Sequence, residues 1–312
     1  ASDVYKRQVT GKRYLYLVKA SKTMTSRNLL NLVLLTVVAV LIVLVVYEPG
    51  LEPAPVNPGL TQLTQDDITH IHIQRDTDED VELQKINGIW QMLKPYPVLA
   101  HDFRVQTILR LSEAESHSQH DLSNLDITTF GLNKPKATVI FNKTHKLLFG
   151  NNEPLQQLRY IQVNNTLHTI TDTFYYQVAS KVSTFIDHGL LEKNSAITKI
   201  ELPELVVELK DGKWQATPQP DNFSADSITG LLNNWRNTQA VEIAKAKTVT
   251  NKPTINIYLK DKPQPVSFSV IKNDTGVALL RNDIGIAYNI SQDSFNKLTS
   301  LPANKPAENE PD

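Results

Sequence analysis

The chain contains no cysteine. That excludes disulfide staples, thiolate zinc sites, iron–sulfur clusters and cysteine nucleophiles. Glycine is scarce, 11 in 312 residues, too few for a glycine-rich phosphate cradle to organise the architecture. Neither sign of charge predominates, with 32 Lys and Arg against 33 Asp and Glu. No nucleic-acid partner is therefore expected from the charge of the whole molecule. The sequence has no Gly-x-Ser-x-Gly elbow, Walker loop or His-Glu-x-x-His pattern. The rest is ordinary globular material, 40% hydrophobic and 7% aromatic, which excludes wholesale disorder.

One segment departs from that average. Leu29 to Tyr47 (LLNLVLLTVVAVLIVLVVY) carries no charge and is almost entirely Leu, Ile and Val. At ~1.5 Å per residue such a helix spans roughly 28 Å, close to the hydrocarbon thickness of a bilayer. Its aliphatic residues contribute on the order of −5 to −9 kcal/mol to insertion, which outweighs Asn31 and Thr36. A strand of this kind would leave its edges unpaired in lipid, so the expectation is a transmembrane helix over 29–47. Lys12, Arg13, Lys19, Lys22 and Arg27 precede the span, Glu48 and Glu52 follow it, and the next cation is Arg75. Positive charge stays inside. Residues 1–28 are accordingly expected in the cytoplasm, and everything after the span on the far side of a bacterial inner membrane, in the periplasm. Within the N-terminal stretch, residues 1–8 end in SDVYKRQ and read as a translated sequencing-adapter scar. Met24 is a candidate start.

Pro49, Pro53, Pro55 and Pro58 mark an extended stalk over 48–62. Residues 302–312 are rich in Pro and acid and are expected to form a disordered tail. Between them lies an internal duplication. ITHIHI (Ile68 to Ile73) matches ITKIEL (Ile197 to Leu202), and Asn87-Gly88-Ile89-Trp90-Gln91 matches Asp211-Gly212-Lys213-Trp214-Gln215. Asn-Gly and Asp-Gly are tight-hairpin turns, so Trp90 and Trp214 should open returning strands and pack as core. A helix follows in each copy. In the second, Ser224 is the expected N-cap before Ile228, Leu231, Leu232 and Trp235; in the first, Asp102 caps Val105, Ile108 and Leu109. Lys134-Pro135 and Lys252-Pro253 then introduce alternating strands, and Asp172-Thr173-Phe174 and Asp293-Ser294-Phe295 open a closing helix. Each unit is expected to run β-β-α-β-β-β-β-α. The fold class is α+β, two tandem repeats of mainly antiparallel sheet (63–181 and 197–301) with a helical connector at 182–196.

Several of these residues resemble a known family. Phe130-Gly131-Leu132-Asn133-Lys134-Pro135, Leu148-Phe149-Gly150, Arg159-Tyr160-Ile161 and Phe185-x-Asp187-x-x-Leu190-Leu191, in that order, are similar to the pattern of domain-of-unknown-function family 4340. The likeness covers roughly 68 to 195 well and the second copy weakly. A basic residue often found beside Asp187 is replaced by His188. The resemblance implies cell-envelope proteins without established catalysis, sometimes found with ABC-type transport or gliding-like gene sets. It carries over no catalytic residue.

The chain's other chemistry is sparse. His70 and His72 share a strand face as metal ligands do, yet the matched positions are Lys199 and Glu201, so a solvated polar face is expected in both copies. His117 and His120 have the same standing. Asp76, Asp78 and Asp80 alternate as in a calcium loop, but Val81 stands where that loop needs Gly and Asn87 where it needs Glu. No cofactor and no metal site is expected. The candidate ligand or partner contacts are Arg159, Tyr160 and Asp187, with an exposed cross-strand ion pair as the plain structural role of Arg159. The function expected is a non-enzymatic envelope protein, anchored in the bilayer through Leu29 to Tyr47 and presenting a duplicated binding or scaffold module to other membrane or envelope proteins. A cell-wall glycan or other envelope-ligand binding domain is the alternative, and an envelope hydrolase the minor one.

Overall fold

The computed structural model describes residues 26–47 and 59–301, less 77, 155, 222, 251, 261, 274 and 275. The adapter-like start, the N-terminal stretch up to residue 25, the stalk up to residue 58 and the acidic tail lie outside the described residues. Two compact units are distinguished, residues 1–56 and 57–312, and each is described by itself.

In the first unit, helix α1 (Ser26–Tyr47) has 22 residues and a mean hydropathy of 3.2, with none of its residues buried. It is long and apolar enough to cross a membrane. Thr36 donates its hydroxyl to the Leu32 carbonyl at 2.8 Å, so the helix itself satisfies this polar group.

The second unit is built on two antiparallel sheets, one of nine and one of eight strands. The first copy comprises β1 (His70–Arg75), β2 (Val81–Ile86), β3 (Ile89–Lys94), β4 (Val98–Leu99), α2 (Asp102–Leu109), β5 (Ser118–Asp121), β6 (Ala137–Phe141), β7 (His145–Asn152), β8 (Leu158–Val163), β9 (Thr166–Thr171) and α3 (Thr173–Val178). The second comprises β10 (Ile197–Glu201), β11 (Val206–Lys210), β12 (Lys213–Thr217), α4 (Ala225–Asn237), β13 (Glu242–Lys245), β14 (Thr254–Leu259), β15 (Val266–Asn273), β16 (Gly276–Arg281), β17 (Ile286–Ile290) and α5 (Gln292–Thr299). Strand order is β4-β3-β2-β1-β6-β7-β8-β9-β5 in one sheet and β12-β11-β10-β14-β15-β16-β17-β13 in the other. Apart from β4, each strand of the first copy has a counterpart at the same place in the second. The α+β duplication is therefore a duplication of topology.

The local causes are visible in the chain. Asn87 and Gly88, like Asp211 and Gly212, take positive φ (50° and 81°, 49° and 74°), the conformation that a two-residue hairpin requires. Ser224 caps α4 in a reciprocal box with Ser227. Asp102 does not cap α2. It is the first helical residue, and His101 occupies the cap position without a side-chain cap bond. The first copy has three strands beyond the expected order and the second has two. The Trp hairpin is a pair of strands additional to the opening one, β4 is extra in the first copy, and one more strand follows the first helix in each. The latter, β5 and β13, escape hydrophobic alternation because SQHD and EIAK are short edge strands. The connector is helical only over a single 3-10 turn, Val182–Phe185. Beyond it, Asp187 accepts a hydrogen bond from the Gly189 amide at 2.8 Å, a turn that diverts the chain into extended form.

One core runs through both copies, from Leu60 to Leu301, and takes in the buried faces of α2, α4 and α5. Two small clusters lie apart from it, Leu122 with Leu132 and Leu167, and Ala278 with Leu280 and Ala287. Neither contains an α-helical residue, so the α-helices cover one face of each sheet.

Candidate functional site

Arg159 and Tyr160 are neighbours on β8, so they point to opposite faces. Arg159 points inward and is 3% exposed. Its Nη1 donates to the Gly150 carbonyl at 2.7 Å, its Nη2 to Asn152 Oδ1 at 2.7 Å, and its Nε to the Asp172 carboxylate. The guanidinium carbon lies 3.7 Å from the centre of the Tyr175 ring. The exposed ion pair expected here is instead a buried one that ties β7 and β8 to the start of α3. A buried cation must be paired this closely to persist.

Tyr160 points outward. Its ring meets Phe130 edge-on, with centroids 4.9 Å apart, above a shallow cleft of about 690 Å³ shared with Gln119, His120, Glu153 and Thr169. Burial, and then the charge of Glu153, raise its phenol above the ordinary tyrosine range. Asp187 lies on neither face. It belongs to the connector, where its amide donates to the Leu99 carbonyl at 2.9 Å, and it lines a small polar cleft with Lys262, Arg281 and Tyr288. The three candidates therefore form no common site.

The histidine pair is divided in the same way. His70 Nε2 lies 2.9 Å from Glu82, and His72 Nε2 lies 3.2 Å from Asp80. Hydrogen bonds from His70 and Lys94 hold the Glu82 carboxyl below its usual range. In the second copy Lys199 and Glu201 pair at 2.6 Å. Among the described residues no group of three or more His, Asp or Glu is arranged to hold a metal ion.

What the structure adds is the junction between the copies. The connector is laced to both. The His101 amide donates to Phe185 and the Ala240 amide to His188, each at 2.8 Å. His188 Nδ1 lies 2.8 Å from the Ala240 carbonyl oxygen, and its ring meets His101 edge-on at 5.7 Å. Beside this seam a cleft of about 460 Å³ opens between the β1–β2 turn, the 3-10 turn and edge strand β13. Asp78, Glu79, Lys181, Glu242 and Lys245 rim it, with Tyr96 on one wall. Lys245 bridges the copies to Glu79 at 2.5 Å, and that bond raises the lysine pKa. Desolvation raises the phenol of Tyr96. Arg75, buried behind the turn, donates to the Ser180 and Glu79 carbonyls, and burial lowers its pKa. Arg75 follows Ile71 and Ile73 in the alternation of β1 and so falls on their inward face, a signal that the sequence offered and that the reading of candidate sites passed over. The arrangement combines a mixed-charge rim, an aromatic wall and an edge strand.

A family model described as a domain of unknown function, DUF4340, matches residues 90–258. The match runs from Trp90 on β3 to Tyr258 on β14 and so takes in α2, the connector, α4 and the junction. No curated protein and no solved structure matches the chain.

Proposed function

From a chain that belongs to the DUF4340 family, we propose a non-enzymatic, membrane-anchored scaffold that holds other envelope proteins, such as a transport complex, against its duplicated body. In this reading α1 is a retained anchor in a bacterial inner membrane, the amino terminus is cytoplasmic and the body is periplasmic. The flanking charges, basic before the span and acidic after it, support that orientation. One observation carries the scaffold reading. The charged groups buried deepest, Arg75, Arg159 and Asp172, are tied to the backbone or to each other, whereas edge strand β13 of the second sheet lines a cleft at the junction. Edge strands and clefts are surfaces that recognise polypeptides.

Chemical cross-linking in native membranes, followed by mild-detergent purification, should recover defined membrane partners. A strictly solitary monomer at native expression would dismiss the scaffold. Protease added from the cytoplasmic side should leave the body intact, and alkaline carbonate should not release the chain.

The Phe130–Tyr160 aromatic pair over its polar cleft favours a second reading, a binding face for cell-wall glycan. It predicts that Tyr160→Ala abolishes retention on isolated cell wall. No retention of the unaltered chain removes this reading.

A further inference from the structure

The two copies differ at one sheet edge, and the first copy shows what the second lacks. In a hairpin closed by two residues, the pair flanking the turn is hydrogen-bonded and the next pair is not. Ile86↔Ile89 and Lys210↔Lys213 flank the turns, so Lys85↔Trp90 and Leu209↔Trp214 are non-bonded pairs. The backbone N–H and C=O of Trp90 and Trp214 therefore point away from the hairpin, as do those of Met92 and Ala216 two residues on. In the first copy these groups are covered. The Ala100 amide donates to the Trp90 carbonyl at 3.0 Å, Met92 pairs with Val98, and the connector closes over Leu99. In the second copy β12 ends its sheet. Among the described residues, no backbone bond reaches Trp214 or Ala216 from the outer side.

The reason lies in the sequence. Both strands run into a Pro-x-Pro segment, Pro95-Tyr96-Pro97 and Pro218-Gln219-Pro220. After it the first copy has Val98-Leu99, which forms β4, and the second has Asp221-Asn222. Asp and Asn are depleted in strands. Among the described residues the second copy has no covering strand at this place, while the edge that would receive one is present, with Trp214 half-buried beside it.

We propose that the outer edge of β12 receives a short, extended, uncharged aliphatic segment of another polypeptide. The segment runs antiparallel and exchanges backbone hydrogen bonds with Trp214 and Ala216. The first copy supplies the template. Its own segment, Val98, Leu99 and Ala100, is half-buried to buried when in place, so a charged segment would lose hydration without a partner. Lys213 and Pro218 bracket the edge, limiting the pairing to a few residues and discouraging open-ended aggregation. This inference rests on the scaffold reading and names the mode of contact.

The probe is a synthetic peptide of residues 95–101, Pro-Tyr-Pro-Val-Leu-Ala-His, added to the full chain in detergent. Expected are saturable binding and amide exchange slowed roughly tenfold or more at Trp214 and Ala216. Ala216→Pro removes one outward donor and leaves the β11 ladder intact; it should abolish the binding. Absence of binding, or protection confined to other strands, overturns the proposal, and this result needs no variant. A chain dimer that Ala216→Pro dissociates also overturns it, in favour of a second copy as occupant. If cross-linked partners persist unchanged in Ala216→Pro, the edge is refuted and the scaffold stands; if the unaltered chain has no partners, the scaffold fails.

Discussion

At Arg159 and Asp172, attraction between the two charges offsets the desolvation of both. Removing one partner leaves the other charged and dry, which is far worse than removing both. Arg159→Leu should therefore destabilise the body by about 3–5 kcal/mol, and the pair Arg159→Met with Asp172→Leu should recover most of that loss. Urea unfolding of the detergent-solubilised chain reads both, and equal losses in the single and double variants would show that the ion pair is not the source. His168 presents the opposite problem. It is buried with its Nδ1 3.0 Å from the Ser116 hydroxyl, and burial lowers its pKa. In the unfolded chain it titrates near its ordinary value of about 6.5. As pH falls below that value, the unfolded state takes up a proton that the folded state resists, so stability declines. The urea midpoint should drop between pH 7.5 and 5.5, and His168→Gln should lessen the drop. An identical drop in the variant would exclude His168 as a cause.

At the scale of the element, matched positions have come to differ in burial. Trp90 is 4% exposed, whereas Trp214 is only half-buried against the core. The hairpin signature placed both on returning strands, and both were expected to be core. The difference comes from β4, which closes over one edge and has no counterpart on the other. Trp90→Ala should cost about 3–5 kcal/mol and Trp214→Ala about 1.5–3 kcal/mol. Thermal unfolding distinguishes the two, and equal costs would mean that the β12 edge is covered in solution. At α4 the N-cap was legible because Ser224 precedes an apolar helical period, whereas its reciprocal bond with Ser227 came from the structure; Ser224→Ala should remove about 1 kcal/mol. The short strands β5 and β13 were not legible. An edge strand has few buried positions, and its pairing depends on a distant neighbour.

For the whole molecule, the shared core has a measurable consequence. Residues from both sheets and from the connector pack in one cluster, so the two copies should unfold together. Far-ultraviolet circular dichroism, tryptophan fluorescence and amide exchange should give a single coincident transition. Two separated transitions would show that the copies are independent domains joined by a linker. The connector explains the coupling. Phe185, Ile186, Leu190 and Leu191 are all buried, and an amphipathic pattern alone could not show that they would serve two sheets from a single 3-10 turn and the non-helical chain beyond it.

The sequence by itself determined a helix long and apolar enough to cross a membrane, since its uncharged aliphatic run is a local property of the chain. It also determined the doubled order of hairpin, helix and alternating strands, because turns and periodicity are local properties. Only the tertiary structure decided which residues face inward, that Arg159 is buried while Tyr160 stands over an outer cleft, and which sheet edge is left uncovered. Those outcomes depend on contacts between segments far apart in the chain. Burial and strand pairing belong to both partners at once, and neither segment encodes them alone.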